Sequence, residues 1–522
     1  MKRIISLILA ALMLLASSGA YAAKFDIDEY ARDIPDPMRD IIYVSGTWEE
    51  MGRQYATQQE ASIRRTIVRA VSRAVDSHGS VDAYVQANQA SLDTYKEKLP
   101  QAIDLFNGIA SAGEFSFNEI FCAFGALAMG DFCNAATAWG EATGGSVVSG
   151  INSDRDTVEY NDPTIIFFPD DPAYPECVYP TIAWRGLESN GAFNSAGLFQ
   201  ALTGGQSHQE GDVAPGGMSA HLTKIILTTM CATADEALTK LVDEGRLPTS
   251  GTCHIAIDGQ GKGWVIEQTA QECVIREQNR SVEGEGDYQI INNIFFDEEM
   301  LEHNVTDGSY DDCYPRFETV KYFLDRDYGN VTVDTLRAAM ASNTYVDPET
   351  KEMSEEPYWG NDGKVYNSPE GVAAKFKTIG RMICNNTDKV AYIISGTENT
   401  EISQLPRATG TYNRIALKED PKAMTQDAQN YAQLYIYQAA RDIDNAGTVD
   451  AQRRENFELA REYFVEGINY RTLIGYISDP DEVLELYGKA TSAFCRAQVY
   501  AKTTWDQPQS LASDFDNVGY IY

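Results

Sequence analysis

The sequence predicts an α+β protein, on three observations. Short apolar or alternating runs broken by Gly, Asp and Asn fill the stretch from Cys133 to about Gly396, and these read as strands. Apolar residues recur at helical spacing ahead of that stretch, from about Glu49 to Leu127. Helical periodicity returns after about Met424 and runs to Ala501. The 522-residue chain is 43% hydrophobic, enough to bury one large core with an appendage.

The chain opens Met1-Lys2-Arg3, then an apolar run from Ile4 to Leu15, then Ala16-Ser17-Ser18-Gly19-Ala20-Tyr21-Ala22. A basic head, a short apolar segment and a small-x-small end predict a secretory signal at 1–22, cut after Ala22. That run is short for a membrane span, and no later stretch has enough continuous apolar residues for one. The expectation is a soluble protein, secreted or periplasmic. Residues 23–132 read as a helical segment, in which Trp48 to Ala56 lead into Ile63, Ile67, Ala70, Val71 and Ala74. Asp82 to Ile109 continues it, with a break at Pro100. Phe117 to Met129 is apolar almost all round, which predicts a buried helix.

In the middle, 133–412, strands are expected at 146–149, 164–168, 181–184, 263–266, 288–291 and 390–394. Helical patterns interrupt them at about 219–245 and 314–343, which suggests sheets covered by helices. The tail, 413–522, carries helical patterns at 428–443, 453–470 and 480–501 and reads as an appendage packed on the core.

Net charge is −35, and no basic stripe offsets it, so nucleic acid and anionic lipid are excluded as partners. Nine Cys at wide spacing contain no CxxC pair, and five scattered His form no HExxH motif, so no metal site is expected. In an oxidising compartment some of the Cys are expected to pair, and the odd count leaves at least one thiol over.

The chemistry-bearing stretch runs from Cys133 to Arg155. It reads as a Cys on a short strand, a turn at Gly144-Gly145, a second strand, and an Ile151-Asn152-Ser153-Asp154 end. The hairpin returns Asp154 to the neighbourhood of Cys133. A carboxylate raises the pKa of a nearby thiol, but it suits a nearby ammonium. That fits a Cys133 that becomes a chain terminus with a free α-amino group.

This stretch resembles the start of the mature catalytic chain in N-terminal-nucleophile (Ntn) hydrolases. It is most similar to the acyl-CoA:6-aminopenicillanic acid acyltransferase family, in its Trp139-Gly140-Glu141-Ala142-Thr143, its Gly turn and its Asn152-x-Asp154. Choloylglycine hydrolases share a shorter skeleton, and Asn152-Ser153-Asp154-Arg155 is similar to secernin-like dipeptidases. Val44 to Gly52 resembles the family's Gly-x-x-x-Glu-x-Gly opening, and Gly191 to Leu198 its Gly-x-Asn-x-x-Gly-Leu. Ile255 to Glu267, Asn292-Asn293-Ile294-Phe295 and Ser309 to Arg316 resemble later family segments, so the likeness spans about 42–398.

The resemblance implies a four-layer αββα sandwich with a helical N-terminal segment and a helical C-terminal appendage. It implies self-cleavage between Phe132 and Cys133, with 23–132 remaining bound as a small chain. It implies Cys133 as nucleophile and, through its new α-amino group, as base. Asp154 would orient that amine, Asn293 would serve the oxyanion, and Arg316, Thr203 and Asn194 are further site candidates. The substrate would be a small-molecule amide, peptide-like or N-acyl compound, cleaved or transferred to an amine, without cofactor or metal. Three positions depart from the family pattern. Asn134 follows the nucleophile in place of Thr or Ser, and Ile151 stands where the family has Arg. Gln200 to Gly205 lacks the expected oxyanion Asn. Arg155 and Arg316 are the sequence's candidates to replace the lost Arg, and a binding protein without catalysis is the rival reading.

Overall fold

The structure is a computed structural model that describes residues 38, 40–113, 115–125, 132–155, 163–204, 211–212, 214, 216–246, 251–278, 282, 284–305, 313–342, 344–347, 349–357, 377–395 and 412–504. The expected signal peptide at 1–22 lies outside the described residues.

The segment ahead of Cys133 is not wholly helical. Its first element is a strand, β1 (Ile41–Gly46), because Ile41-Ile42-Tyr43-Val44 is a β-branched and aromatic run that ends at a Gly. Five helices follow: α1 (Trp48–Gln58), α2 (Glu60–His78), α3 (Val81–Ala87), α4 (Gln89–Lys98) and α5 (Pro100–Ser111). Thr47 and Glu50 form a reciprocal cap at the start of α1. Pro100 begins α5 at a position where its missing N–H is not needed. Of the buried helix expected over Phe117–Met129, the described part is an α-helical turn, Phe117–Ile120, running into a π-helical turn, Phe121–Gly125. Residues 126–131 lie outside the described part.

From Phe132 onward the chain forms β2 (Phe132–Ala138), β3 (Val148–Arg155), β4 (Thr164–Pro169), β5 (Thr181–Leu187), β6 (Gly191–Asn194) and β7 (Phe199–Gly204). Helices α6 (Ala220–Met230) and α7 (Ala234–Leu241) precede β8 (Thr252–Ile257), β9 (Gly263–Gln268), β10 (Cys273–Glu277) and β11 (Tyr288–Ile291). Helices α8 (Cys313–Arg326) and α9 (Val333–Met340) follow, then a small hairpin of β12 (Thr344–Val346) and β13 (Met353–Pro357). Strands β14 (Lys377–Asn385), β15 (Val390–Ser395) and β16 (Asn413–Ala416) complete the sheets. The chain closes with α10 (Pro421–Asn445), α11 (Ala451–Ile474) and α12 (Pro480–Lys502).

One sheet has eight strands in the order β1-β4-β5-β6-β7-β8-β9-β10. The other has six, in the order β11-β2-β3-β14-β15-β16. Strand β1 pairs with β4 in parallel, and the remaining pairs are antiparallel. One apolar cluster is shared by both sheets: Ala135, Ile151 and Met382 of the six-stranded sheet with Ile182, Trp184 and Phe193 of the eight-stranded one. A second joins Val44, Phe167 and Ile266 to α1, α5 and α6. A third joins Ala136, Ile290 and Ile383 to α8 and α9. The architecture is mixed helix and sheet, in line with the α+β expectation.

Strand β16 pairs with β15, so a boundary at 412/413 cuts an edge strand from its sheet, and the helical appendage begins at Pro421. The appendage lies against β1. Ser492 Oγ takes the Ile41 N–H at 2.7 Å and donates to Ile41 O at 2.9 Å, and Tyr43 Oη meets Thr491 Oγ1 at 2.7 Å.

No disulfide joins any of the nine cysteines, contrary to the pairing expected for an oxidising compartment. All but Cys273 are buried. Among the described residues, no helix is long and apolar enough to cross a membrane.

Candidate active site

Cys133 is the second residue of β2, and strand alternation puts it on the same face as Ala135, toward the apolar layer between the sheets. Ser153 and Ile151 share that face on β3. The β2–β3 connection is a single helical turn, Gly140–Thr143, closed by Gly144 and Gly145 at φ 69° and 112°, values that favour glycine. This hairpin sets Cys133 opposite Ser153 and Phe132 opposite Asp154. The backbone of Asp154 is therefore one step from Cys133, while the side chains of Asp154 and Arg155 lie outside the described part.

On the other side of β2, Ala135 pairs with Ile291 of β11, so the next residues, Asn292 and Asn293, run alongside Cys133. The Cys133 N–H donates to Asn293 Oδ1 at 3.0 Å. Arg316 of α8 donates from Nη2 to Cys133 O at 2.8 Å and from Nη1 to Asn293 Oδ1 at 3.1 Å. Asn293 Nδ2 in turn donates to Gly204 O at 2.9 Å, and Thr203 Oγ1 donates to Asn292 O. Asn293, Arg316 and Thr203 thus gather at Cys133 as one network. The geometry changes the role expected of Asn293: it offers Cys133 an acceptor oxygen rather than an oxyanion donor. A guanidinium has no acceptor, so its contact with Oδ1 fixes which way the amide faces.

Asn194 does not join the network. Its Nδ2 donates to Thr228 O and Cys231 O, each at 2.7 Å, and its Oδ1 accepts from Ala196 N and Leu198 N. Two of these bonds tie the β6–β7 turn to the end of α6 and the other two brace the turn itself, which is a structural task.

The sequence reading missed Asn190. Its Nδ2 donates to Cys133 Sγ at 2.9 Å. Its Oδ1 accepts from Arg185 Nη1 at 2.8 Å and from Ser153 Oγ at 3.0 Å. The register of β5 with β6 ends at Ala183 opposite Ala192, so Arg185 and Asn190 flank the open end of that hairpin. The strand connection that carries Asn190 lies alongside the Gln200–Gly204 strand: Leu202 N–H donates to Asn190 O at 3.0 Å. The only sequence sign was a Ser189-Asn190-Gly191 turn. Ile151 is buried in the layer between the sheets, in a place where a Cβ on Gly191 would come within 2.8 Å of its Cγ2. It brings no charge, and a buried guanidinium, Arg185, stands on β5 of the opposite sheet.

Two further groups hold the site. The Ser189 carbonyl takes Lys224 Nζ and lies 3.1 Å from His221 Nδ1, both from α6. Nearby His254 is pushed down to about 3, first by burial and then by the Lys224 and His221 charges. Beneath the Asn293 loop, Glu267 accepts from the N–H groups of Phe296 and Asp297 at 2.9 and 3.0 Å. Arg276 lies within 3.0 Å of Glu267 and 2.9 Å of Glu285. Burial raises both carboxyls and Arg276 lowers them, with a net rise.

Burial also pushes up several other thiols, to about 11 at Cys122 and Cys177 and to about 12 at Cys231 and Cys495. Glu272, Glu302 and His303 are close enough to hold a metal ion. Both ring nitrogens of His303 already face carboxylates, Asp212 at 2.9 Å and Glu272 at 3.2 Å.

No protein-family model matches the chain, and no curated protein matches it. Among solved structures, a conjugated bile acid hydrolase from Clostridium perfringens is 12% identical and covers 55% of this chain and 93% of its own, with a TM-score of 0.31. A penicillin V acylase from Agrobacterium tumefaciens is 12% identical over 54% of this chain and 91% of its own, with a TM-score of 0.29. A variant of the Clostridium perfringens hydrolase is 13% identical over 53% and 87%, with a TM-score of 0.22. At these scores the likenesses bear no weight, and function has to be read from the site.

Proposed function

We propose that the chain is an exported, self-processing Ntn hydrolase that cleaves an amide, peptide-like or N-acyl bond of a small molecule through an acyl-enzyme on Cys133. One observation carries this reading. The N, O and Sγ atoms of Cys133 are each met by a buried polar side chain from a different part of the fold: Asn293, Arg316 and Asn190. A structural cysteine in a core has no use for three such partners, each desolvated at a cost. The three apolar clusters support the corresponding helix–sheet–sheet–helix layering.

In the first reaction, the thiol attacks the Phe132 carbonyl. The C–N bond to Cys133 breaks, a thioester forms, and the nitrogen takes the thiol proton and leaves as the free α-amine. Water then hydrolyses the thioester, freeing the Phe132 carboxylate and the thiol. The new α-amino group has an ordinary pKa of about 7.7–8.0 against about 8.5 for a thiol, so it is matched to take the thiol proton near neutral pH. Asn293 Oδ1 already accepts from this nitrogen, and Asp154 would hold its charged form. In turnover, the thiolate attacks the substrate carbonyl, the leaving amine takes the proton back from the α-ammonium, and water or an amine resolves the acyl-enzyme. Asn190 Nδ2, aimed at the sulfur, is the side-chain donor best placed for the oxyanion.

Ile151 favours a second reading, a binding protein on the same fold that has lost catalysis. Reducing gel electrophoresis with N-terminal sequencing of the purified protein separates the two. The enzyme gives two chains, one starting at Cys133, and Cys133→Ala gives one. A single uncut chain that hydrolyses no acyl-amide or dipeptide of a broad panel sinks the proposal.

A further inference from the structure

The cleavage chemistry does not call on Arg185, yet that residue is wholly buried beside the thiol. Its Nη1 donates both to Asn190 Oδ1 at 2.8 Å and to Ser153 Oγ, and Ser153 Oγ donates to the same Asn190 oxygen at 3.0 Å. The three atoms form a closed triangle at the oxygen end of the Asn190 amide, with Ser153 the residue opposite Cys133 in the β2–β3 register. A guanidinium can only donate, so it accepts no approach from an amide N–H. The oxygen of Asn190 is therefore held toward Arg185 and the NH2 toward Cys133 Sγ, 2.9 Å away. A flipped amide would set an oxygen against the sulfur and N–H groups against a cation. Charge adds to orientation: a donor whose partner oxygen is bound by a cation is polarised, and a buried cation favours a nearby anion.

We propose that Arg185 is the positioning cation of this site, turning the Asn190 amide onto the Cys133 sulfur through the Arg185–Ser153–Asn190 triangle and favouring the thiolate and oxyanion. This rests on the Cys133 reading above. The other charged or titratable groups facing the cluster are Arg316 from α8, on the Cys133 carbonyl, and Lys224 and His221 from α6, on the Ser189 carbonyl. His254 of β8 stands beyond those two, and Asp154 follows Ser153 on β3.

The test compares processed wild type with Arg185→Met and Arg185→Lys. Iodoacetamide labelling of Cys133, followed by mass spectrometry across pH, reads the thiol directly. In the Met variant the labelling midpoint is expected to move up by about one pH unit, since an opposite charge is lost. Its kcat is expected to fall about 100-fold with little change in KM, the size seen when one oxyanion donor is lost. The Lys variant keeps the charge without the fork. It is expected to hold the midpoint within a few tenths of a unit and lose about tenfold in kcat. A Met variant with a wild-type melting curve, midpoint and kcat overturns the inference. Should the Met variant not fold, a Lys variant with full kcat overturns it. A wild type never cut before Cys133 defeats the function itself and is seen on the gel before any variant is made. A cut, active wild type with an indifferent Met variant defeats this inference alone.

Discussion

Asn190 donates to the sulfur of Cys133 over 2.9 Å, although it sits 57 positions further on, in the β5–β6 connection of the other sheet. Neither has exposed surface. The regular β5–β6 pairing ends at Ala183 opposite Ala192, and the Ser189–Asn190 connection beyond it reaches Cys133. For Asn190→Ala we expect kcat to fall about 10²–10³-fold with KM little changed, as for loss of one oxyanion donor. Asn190→Asp puts an acceptor and a negative charge against the thiol, which raises its pKa and moves the alkaline rise of labelling to higher pH. Steady-state kinetics and pH-dependent labelling check both. An Ala variant within threefold of wild type removes Asn190 from the chemistry.

Thiol reactivity should single out one cysteine. Burial holds Cys122, Cys177, Cys231, Cys253, Cys384 and Cys495 far from ionising at neutral pH. Cys273 is exposed, but its thiol is also raised by partial burial. The native protein at pH 7.5, given about one equivalent of an alkylator, is expected to lose activity in step with labelling at Cys133. Peptide mapping that finds another thiol modified first, with Cys133 intact and activity lost, contradicts the assignment.

The sequence made the helices of the tail and the strands around Cys133 legible because their apolar periods are local. Met424 to Ala501 breaks where the turns break, at Gly447 and after Gly475. Cys133, Asn293 and Arg316 were legible from short motifs, and the structure brings them together. Arg185 and Asn190 were not, since each looks like an ordinary strand-end residue until β5–β6 faces β2–β3. Asn194 misled for the reverse reason. Its motif marks a turn that is fixed by its own four hydrogen bonds. β1 was missed because a six-residue parallel edge strand leaves little periodic signal, and its partner β4 lies over 100 positions away.

The appendage is expected to retain the small chain after the cut. Strand β1 belongs to that chain, and α12 grips it through Ser492 on Ile41 and Thr491 on Tyr43. Gly488 permits the close approach, since a Cβ there would lie 3.1 Å from the Tyr43 nitrogen. Gly488→Leu is therefore expected to push α12 off β1, with a loss of about 1–3 kcal/mol from overpacking. Size exclusion of the processed protein in rising urea reads the outcome. Wild type should elute as one complex, and the Leu variant should shed the small chain at lower urea. Release at the same urea concentration in both would show that α12 does not hold β1.

Stability should fall on the acid side through His254. Burial and the neighbouring Lys224 and His221 charges hold its folded pKa near 3, against about 6.5 in the unfolded chain. Between those values the unfolded state binds a proton that the folded state refuses. The folded state therefore loses stability as pH drops below 6.5, by about 1.4 kcal/mol per pH unit once well below it. Above 6.5 both states are neutral, and the residue contributes no pH dependence. His254→Gln retains a partner for Thr252, which now lies 3.1 Å from Nε2, and removes the titration. Urea unfolding of both proteins from pH 7 to 4 gives two curves, and their difference isolates His254. Glu267 and Glu285, whose carboxyls burial pushes up, titrate alike in both and cancel. The wild-type curve should drop more steeply than the Gln curve below pH 6, and parallel curves would show that His254 is protonated in the folded protein without penalty.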